Sequence, residues 1–283
     1  MWIIGLLLGG LLLILLLSQN GGIAVIIATT VAIIICHSLF FGRTQSHYRS
    51  SFKAKVVTQV AQALAPELVF QPSQFVSKGW FERSRLFRRP DRYSGEDYFI
   101  GKIGKTELFF SEVHAEQRHR TTDSKGRTKT HYTTIFRGIF LIADFHKEFR
   151  CQVSVTPDKL EGFGFLGRKL QKLGGGVERM ENVDFERLFV VRASDPVEAR
   201  YILTPAMQER FIELTHKWGP SLRASFQDSL VYLALPLRAN WFEGSIKTPV
   251  DDPQQFRQLI AQLSACLNTV DDLDLNTRIW TKE

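Results

Sequence analysis

Hydrophobic and polar positions divide the chain into two regimes. From Met1 to Gly42 no Asp, Glu, Lys or Arg interrupts a run dominated by Leu, Ile, Val and Ala, whereas beyond Gly42 apolar residues recur at helix or strand spacing. At about 1.5 Å per residue, roughly 20 apolar residues cross about 30 Å of hydrocarbon, so the first regime has material for two crossings. Ser18, Gln19, Asn20, Gly21 and Gly22 break it in the middle. Polar residues with two glycines suit a tight turn, which predicts a transmembrane helical hairpin of Met1–Leu17 and Ile23–Phe41. The short first span is expected to sit upright or to thin the bilayer. A cleaved signal peptide is the competing reading. No Lys or Arg precedes the apolar run, no Ala-x-Ala-like site follows it, and a second apolar span comes instead. Gly5 with Gly9, and Ala24 with Ala28 and Ala32, form small-residue rows through which two helices can approach; such residues are also simply common in membrane helices.

Past the anchor the period reports a folded domain. Phe52, Val56, Val60 and Leu64 recur every four residues and predict a juxtamembrane helix to about Ala65, ended by Pro66. Glu107–Glu116 and Thr133–Phe145 are rich in Phe, Ile, Thr and Val and read as two strands of a long hairpin, with RHRTTDSKGRTKTHY as its polar tip. Arg150–Thr156 is expected to join the same sheet. Asp195, Pro196 and Glu198 spell an N-cap, a first-turn proline and a capping-box acid, and Thr204 with Pro205 opens a helix to about Trp218. Ser221–Gln227 and Ser229–Leu235 read as a second hairpin around Asp228. A last helix, Asp252–Leu267, carries Phe256, Ile260, Leu263 and Leu267 on one face. The fold class is therefore α+β, an antiparallel sheet with packed helices. The layout is a hairpin over 1–42, a connector over 43–74 and the α+β domain, of one or two subdomains, over 75–283.

Composition narrows the picture. With 44% hydrophobic and 23% charged residues the part beyond the spans is ordinary for a globular fold, which excludes extensive disorder. Of the three cysteines, Cys36 lies in a span, and Cys151 and Cys266 are far apart without metal or redox spacing, so no disulfide framework is implied. Arg43, Arg49, Lys53 and Lys55 follow the second span before the first acid, Glu67, while the turn between the spans is uncharged. The positive-inside rule then places both termini in the cytoplasm.

Motif chemistry is sparse. Gly162, Gly164 and Gly167 match G-x-G-x-x-G, but TPDKLE separates them from the preceding strand, and Phe163 and Phe165 are bulky for a phosphate cradle. A loop leading to a short helix, Arg168–Leu173, stopped by Gly174, Gly175 and Gly176, is the better account. Glu112, His114 and Glu116 share a strand face near His119, His131 and His146; strand-mates two apart align rather than converge, so no metal is expected. No G-x-S-x-G, H-E-x-x-H or P-loop occurs. No catalytic residue, metal ligand or cofactor site is assigned.

Four phrases carry a family resemblance: KIGKTELFFSEVHAE, TIFRGIFLIADFHKEF, LFVV with EARYILTP, and LNTRIW. Over roughly Phe75 to Trp280 the chain resembles an uncharacterised bacterial membrane-protein family known only as a domain of unknown function. The two hairpin strands and EARYILTP are its most specific parts. The resemblance implies N-terminal spans ahead of the domain, a bacterial inner-membrane location, and a membrane-protein partner of the LemA type, near which such proteins are often encoded. It carries over no activity and no catalytic residues.

Two basic clusters then stand out. The first holds Lys78, Arg83, Arg85, Arg88, Arg89 and Arg92, interleaved with Trp80 and Phe81; the second, on the hairpin tip, holds Arg118, Arg120, Lys125, Arg127 and Lys129. Next to a cytoplasmic leaflet these residues are candidates for contact with anionic lipid, at about 1 kcal/mol per Lys or Arg, with the two aromatics inserting at the interface; the alternative is a solvated surface whose clusters point apart. The net charge of +7 permits nucleic-acid binding, yet a membrane anchor already accounts for it and no nucleic acid is expected. The leading function is a non-enzymatic interaction or regulatory domain at the membrane surface. The alternative is an enzyme acting on a membrane-associated substrate. For the topology, a cytoplasm-active reporter fused after Glu283 is expected to be active; activity of alkaline phosphatase at that position would reverse the orientation.

Overall fold

The computed structural model describes residues 30–35, 45–122, 126–145, 147–158, 176–245, 248–249 and 252–275. The Met1–Leu17 span, the Gly162–Gly167 motif and the Arg168–Leu173 helix lie outside them, and of Ile23–Phe41 only 30–35 is described, as helix. Among the described residues no helix is long and apolar enough to cross a membrane.

The fold is α+β, built on a nine-stranded antiparallel sheet. Its strands are β1 (Val69–Gln71), β2 (Arg92–Ile103), β3 (Thr106–Thr122), β4 (Thr128–Asp144), β5 (Val153–Pro157), β6 (Val177–Glu178), β7 (Phe189–Ala193), β8 (Arg223–Gln227) and β9 (Leu230–Pro236). They lie in the order β1-β2-β3-β4-β9-β8-β5-β7-β6. Both expected hairpins are present, with β3 against β4 and β8 against β9, each antiparallel. Arg150–Thr156 appears as β5, which pairs with β7 and β8.

Alternation along the central strands sorts side chains onto two faces. Leu108, Phe110, Ile139, Leu141, Leu233 and Leu235 enter the larger core, while Val113, Ala115, Phe136, Phe140, Ile142 and Tyr232 enter a smaller one. Because both faces are covered, the run from Gly138 to Ala143 is buried without a polar break. The helix-covered face receives α1, which spans 45–64 with a π-helical stretch at Lys53–Val57 followed by Thr58–Leu64. The opposite face is closed by α2 (Lys78–Arg83) and the segments on either side of it, through Val76, Phe81 and Leu86.

The remaining helices are α3 (Val183–Leu188), α4 (Pro196–Ile202), α5 (Pro205–Trp218) and α6 (Pro253–Asp272). The α5 helix forms as its sequence predicts: Thr204 caps it by accepting from Met207 N, Pro205 fills the first turn, and Met207, Phe211, Leu214 and Trp218 make the buried stripe. At α4 the cap is Asp195, which accepts from Val197 and Glu198 N–H. Glu198 is not a capping-box acid; its carboxylate reaches across to accept from the backbone N–H of Arg150 and Cys151.

Three other expectations shift. The strands run further into the polar tip than Glu116 and Thr133: β3 and β4 stay paired out to Thr122 and Thr128. On α6 the buried stripe is Leu259, Leu263, Cys266 and Val270, which leaves Ile260 40% exposed on the side assigned to the core. On α1 the four-residue stripe fails at the π-turn, whose wider loop brings Phe52 and Val57 onto one face; Val60 and Ala61 follow inward, and Leu64 turns out.

The core makes a direct prediction. Phe110 is fully buried and stacks on Phe99 at 4.8 Å. Phe110→Ala is expected to cost about 3–5 kcal/mol, read as a lower urea midpoint at unchanged slope, while Ile260→Ala should stay within about 0.5 kcal/mol of the parent chain.

Candidate functional site

The described residues draw their strongest concentration of buried charge to the junction between α1 and the sheet. Lys53 stands at the start of the π-turn, and its side chain points inward, with the residue only 5% exposed. Its Nζ donates to Glu96 Oε2 at 2.7 Å and Asp97 Oδ2 at 2.7 Å, and lies 3.0 Å from Glu243 Oε1. A turn earlier on α1, Arg49 Nε lies 3.1 Å from Glu243 Oε2. The lysine expected to mark the cytoplasmic flank is thus enclosed by carboxylates and does not lie on the outer face of the helix.

Each partner is placed by an irregularity. The β2–β3 register shifts between Glu96 and Phe99, and Asp97 within that bulge adopts a left-handed φ of 62°. Bulges re-aim side chains, and a left-handed non-glycine residue persists only where its surroundings enforce it. Here Asp97 N–H donates to Pro72 O at 3.1 Å while the carboxylate turns in to full burial. Close packing holds the rest: a Cβ on Gly95 would strike Glu112 O and Phe75, and one on Gly244 would strike the Phe52 ring. Glu112, opposite Glu96 on β3, is buried and accepts from Trp241 N–H. Arg137 donates to Asn240 Oδ1 at 2.6 Å, and Asn240 Nδ2 donates to Glu96 Oε1 at 3.3 Å.

The electrostatics follow from this crowding. Burial pushes the Asp97 carboxyl up to about 7 against the pull of Lys53, with Glu96 and Glu243 adding repulsion. Burial likewise raises Glu112 to about 8, although the Trp241 N–H favours its ionised form. Lys53 is held above its ordinary value by Asp97, Glu96 and Glu243, which outweigh desolvation. Glu96, Asp97 and Glu243 each offer an oxygen within 4.8 Å of the others, a spacing that suits a cation, and the Lys53 ammonium is the cation that bonds to all three. Beside the knot a polar cleft of about 620 Å³ is lined by Ser46, Arg49, Ser50, Ser73, Glu96 and Glu243 among others.

The basic clusters expected to meet lipid are placed unevenly. Phe81 is 1% exposed, packed against Phe87, Tyr93 and Phe140, so it belongs to the smaller core and has no free face to insert. Trp80 is half-buried against Phe109 and Tyr232. Arg83 donates to Asp228 at 2.8 Å, Arg85 donates to Gln152 at 2.9 Å, and Lys78 and Arg89 lie 3.7 and 3.8 Å from Glu82. Arg88 is exposed. Arg118, Arg120, Arg127 and Lys129 are exposed on the outer hairpin, and Lys125 lies outside the described residues. The two clusters meet at Arg92, which stacks over the Tyr132 ring at 3.4 Å, and at Asp91, which accepts from Arg118 N–H.

The acid and histidine set does not converge. Glu112 is taken up by Trp241, His114 bonds Thr134 Oγ1 at 2.9 Å, and His119 stacks on His131 across the hairpin at 5.2 Å; His146 is outside the described residues. The sequence reading missed Glu96, Asp97, Glu243 and the inward Lys53. The one available signal was a lysine beside Phe52 on the apolar side of a helix.

The family described as "Protein of unknown function (DUF3137)" matches residues 134–275, half of the chain. That range takes in TIFRGIFLIADFHKEF and EARYILTP, while KIGKTELFFSEVHAE precedes it. No curated protein matches the chain. Among solved structures, the crystal structure of the mycobacterial trehalose monomycolate transport factor A, TtfA, is similar over 80% of this chain and 96% of that one, with 10% identity and a TM-score of 0.38.

The knot sets a pH dependence. Asp97 and Glu112 have raised values in the folded chain, so it holds protons that the unfolded chain releases in the ordinary carboxylate range. Their contribution is complete below that range and is lost as pH rises through about 7 and about 8. The melting temperature is expected to fall between about pH 5 and about pH 9, and Asp97→Asn or Glu112→Gln to flatten the fall. Lys53→Met, which strands buried carboxylates, should cost about 3–5 kcal/mol.

Proposed function

The chain belongs to the DUF3137 family of proteins of unknown function, and from that premise we propose that it is a membrane-anchored, non-enzymatic interaction or regulatory domain that lies against the cytoplasmic leaflet of a bacterial inner membrane. The observation that carries this reading is the outer part of the β3–β4 hairpin. Beyond the Arg92–Glu116 pair, where β2 begins, Gln117–Thr122 and Thr128–Thr133 continue as a two-stranded ribbon. Six further pairs at about 3.3 Å per residue extend it about 20 Å past the sheet. Isolated two-stranded ribbons are marginal in water, and this one carries Arg118, Arg120, Arg127 and Lys129 with no apolar face of its own. An anionic surface supplies what it lacks.

Placement supports the same reading. The first turns of α1, which follow the uncharged stretch, line one cleft with Gly95 and Glu96, a few residues along β2 from the ribbon's root at Arg92. Chain entry and ribbon therefore share an end of the sheet. Four engaged cations at about 1 kcal/mol each amount to about 4 kcal/mol, enough to hold a tethered domain down. Arg83, Arg85 and Arg89 lie off the ribbon and take a secondary part. The polar cleft beside Lys53 favours a second reading, an enzyme for a membrane-associated substrate.

Trypsin reads the ribbon directly. With the full chain in low salt, cleavage after Arg118, Arg120 and Arg127, normalised to cleavage after exposed Arg187 on α3, should be slower in phosphatidylglycerol nanodiscs than in phosphatidylcholine ones. High salt, or Arg118→Glu with Arg120→Glu, should abolish the difference. Equal rates in both lipids would remove the support for docking, and release of a lipid-derived product would favour the enzyme.

A further inference from the structure

The polar contacts that tie α1 to the sheet pass through one knot, and its charges do not balance. Asp97 and Glu96 come from β2, Glu112 from β3 and Glu243 from the loop after β9, four carboxylates in all. Facing them from α1 are Lys53 and Arg49. The other groups turned toward the knot are Arg137 on β4, which reaches Glu96 only through Asn240, and the buried Cys266 thiol of α6 near Glu112. Fully ionised, the knot holds two more negative than positive charges in a space where Asp97 has no solvent contact and its Oδ1 no hydrogen-bond partner. Burying surplus like charge is unfavourable. Two routes relieve it: the surplus carboxylates keep protons, or the knot opens to water.

We infer that the Lys53 knot is a releasable coupling between the membrane-proximal helix and the sheet, closed when its surplus carboxylates hold protons and loosened when they lose them. Geometry selects α1 as the part that moves. Asp97, Glu96 and Glu112 sit in paired strands of the sheet, whereas residues 45–53 are held by two aromatic side chains at the edge of the larger core, Tyr48 and Phe52, with Phe52 against Gly244, and by the knot itself. The π-turn supplies the break: Thr58–Leu64 carry the apolar contacts of Val60 and Ala61, so the helix before the turn can shift while the helix after it stays packed. The raised carboxyls of Asp97 and Glu112 agree with the direction of the effect. On the reading proposed above, α1 continues into the membrane spans, so loosening would free the domain to reorient on its tether; the coupling itself does not depend on that reading.

Hydrogen exchange on the full chain in phosphatidylcholine nanodiscs tests it, because neutral lipid keeps ribbon docking out of the measurement. After correction for intrinsic exchange, protection over residues 45–57 should fall by about tenfold or more from about pH 6 to about pH 9, while α5 loses markedly less, by no more than the drop in global stability. Glu112→Gln, a neutral isostere that still accepts from Trp241 N–H, and separately Asp97→Asn, should each shrink that fall. Three results would overturn the coupling: protection over 45–57 that ignores pH or rises with it, a loss shared equally by α5, or an unchanged pH dependence in both variants. None of these bears on whether the ribbon binds anionic lipid, and loss of ribbon docking would leave this result intact.

Discussion

One buried ammonium group holds the architecture of the junction together. Lys53 Nζ reaches two carboxylates of β2 and one from the loop after β9, so a single side chain fixes the position of α1, the bulge in β2 and the path of residues 240–245. A charge removed from water is tolerable only when its partners are close and oriented. That requirement accounts for the left-handed Asp97, the close approach at Gly95 and the seat of Phe52 over Gly244. It also explains why the site is over-supplied with acid: one ammonium must meet carboxylates from separate segments, and the surplus has to be neutralised by protons or by water.

The sheet gives that junction a rigid base. Its central strands are buried on both faces, by the helices on one and by the Val76–Phe87 segment on the other, with Phe99, Phe110, Leu141 and Leu233 in the larger core. A strand closed on both sides cannot slip by one residue without exposing a full set of apolar side chains. The β3–β4 register is thereby set at its inner end and carried outward, which lets a ribbon with no core of its own project past the edge of β2 in a defined direction. Rigid interior and polar extension are two parts of one hairpin.

On the reading proposed above, the knot and the ribbon divide the work of the chain between them. The basic ribbon would offer charge to a surface and the knot would set whether α1 moves with the sheet, while the cleft between α1 and β2 opens beside the knot. The arginines of the Lys78–Arg92 segment are all exposed, and some of them also have protein partners. Arg83 meets Asp228 and lies over Trp80, and Arg85 meets Gln152.

Local sequence determined much of the scaffold. Alternation in β3, β4 and β9, the Thr204–Pro205 and Asp195–Pro196 caps, and the stop at Pro66 are interactions among residues close in the chain, and each element appears where those signals stand. Signals of that kind reach only a turn or two. The π-turn at Lys53, the bulge at Asp97, the exposed side of α6 and the burial of Phe81 were decided by tertiary packing, because each depends on which distant segment closes over it. The candidate site is the extreme case. Lys53, Asp97, Glu112 and Glu243 are scattered along the chain, and a charge becomes informative only when folding removes it from water and places its partners around it.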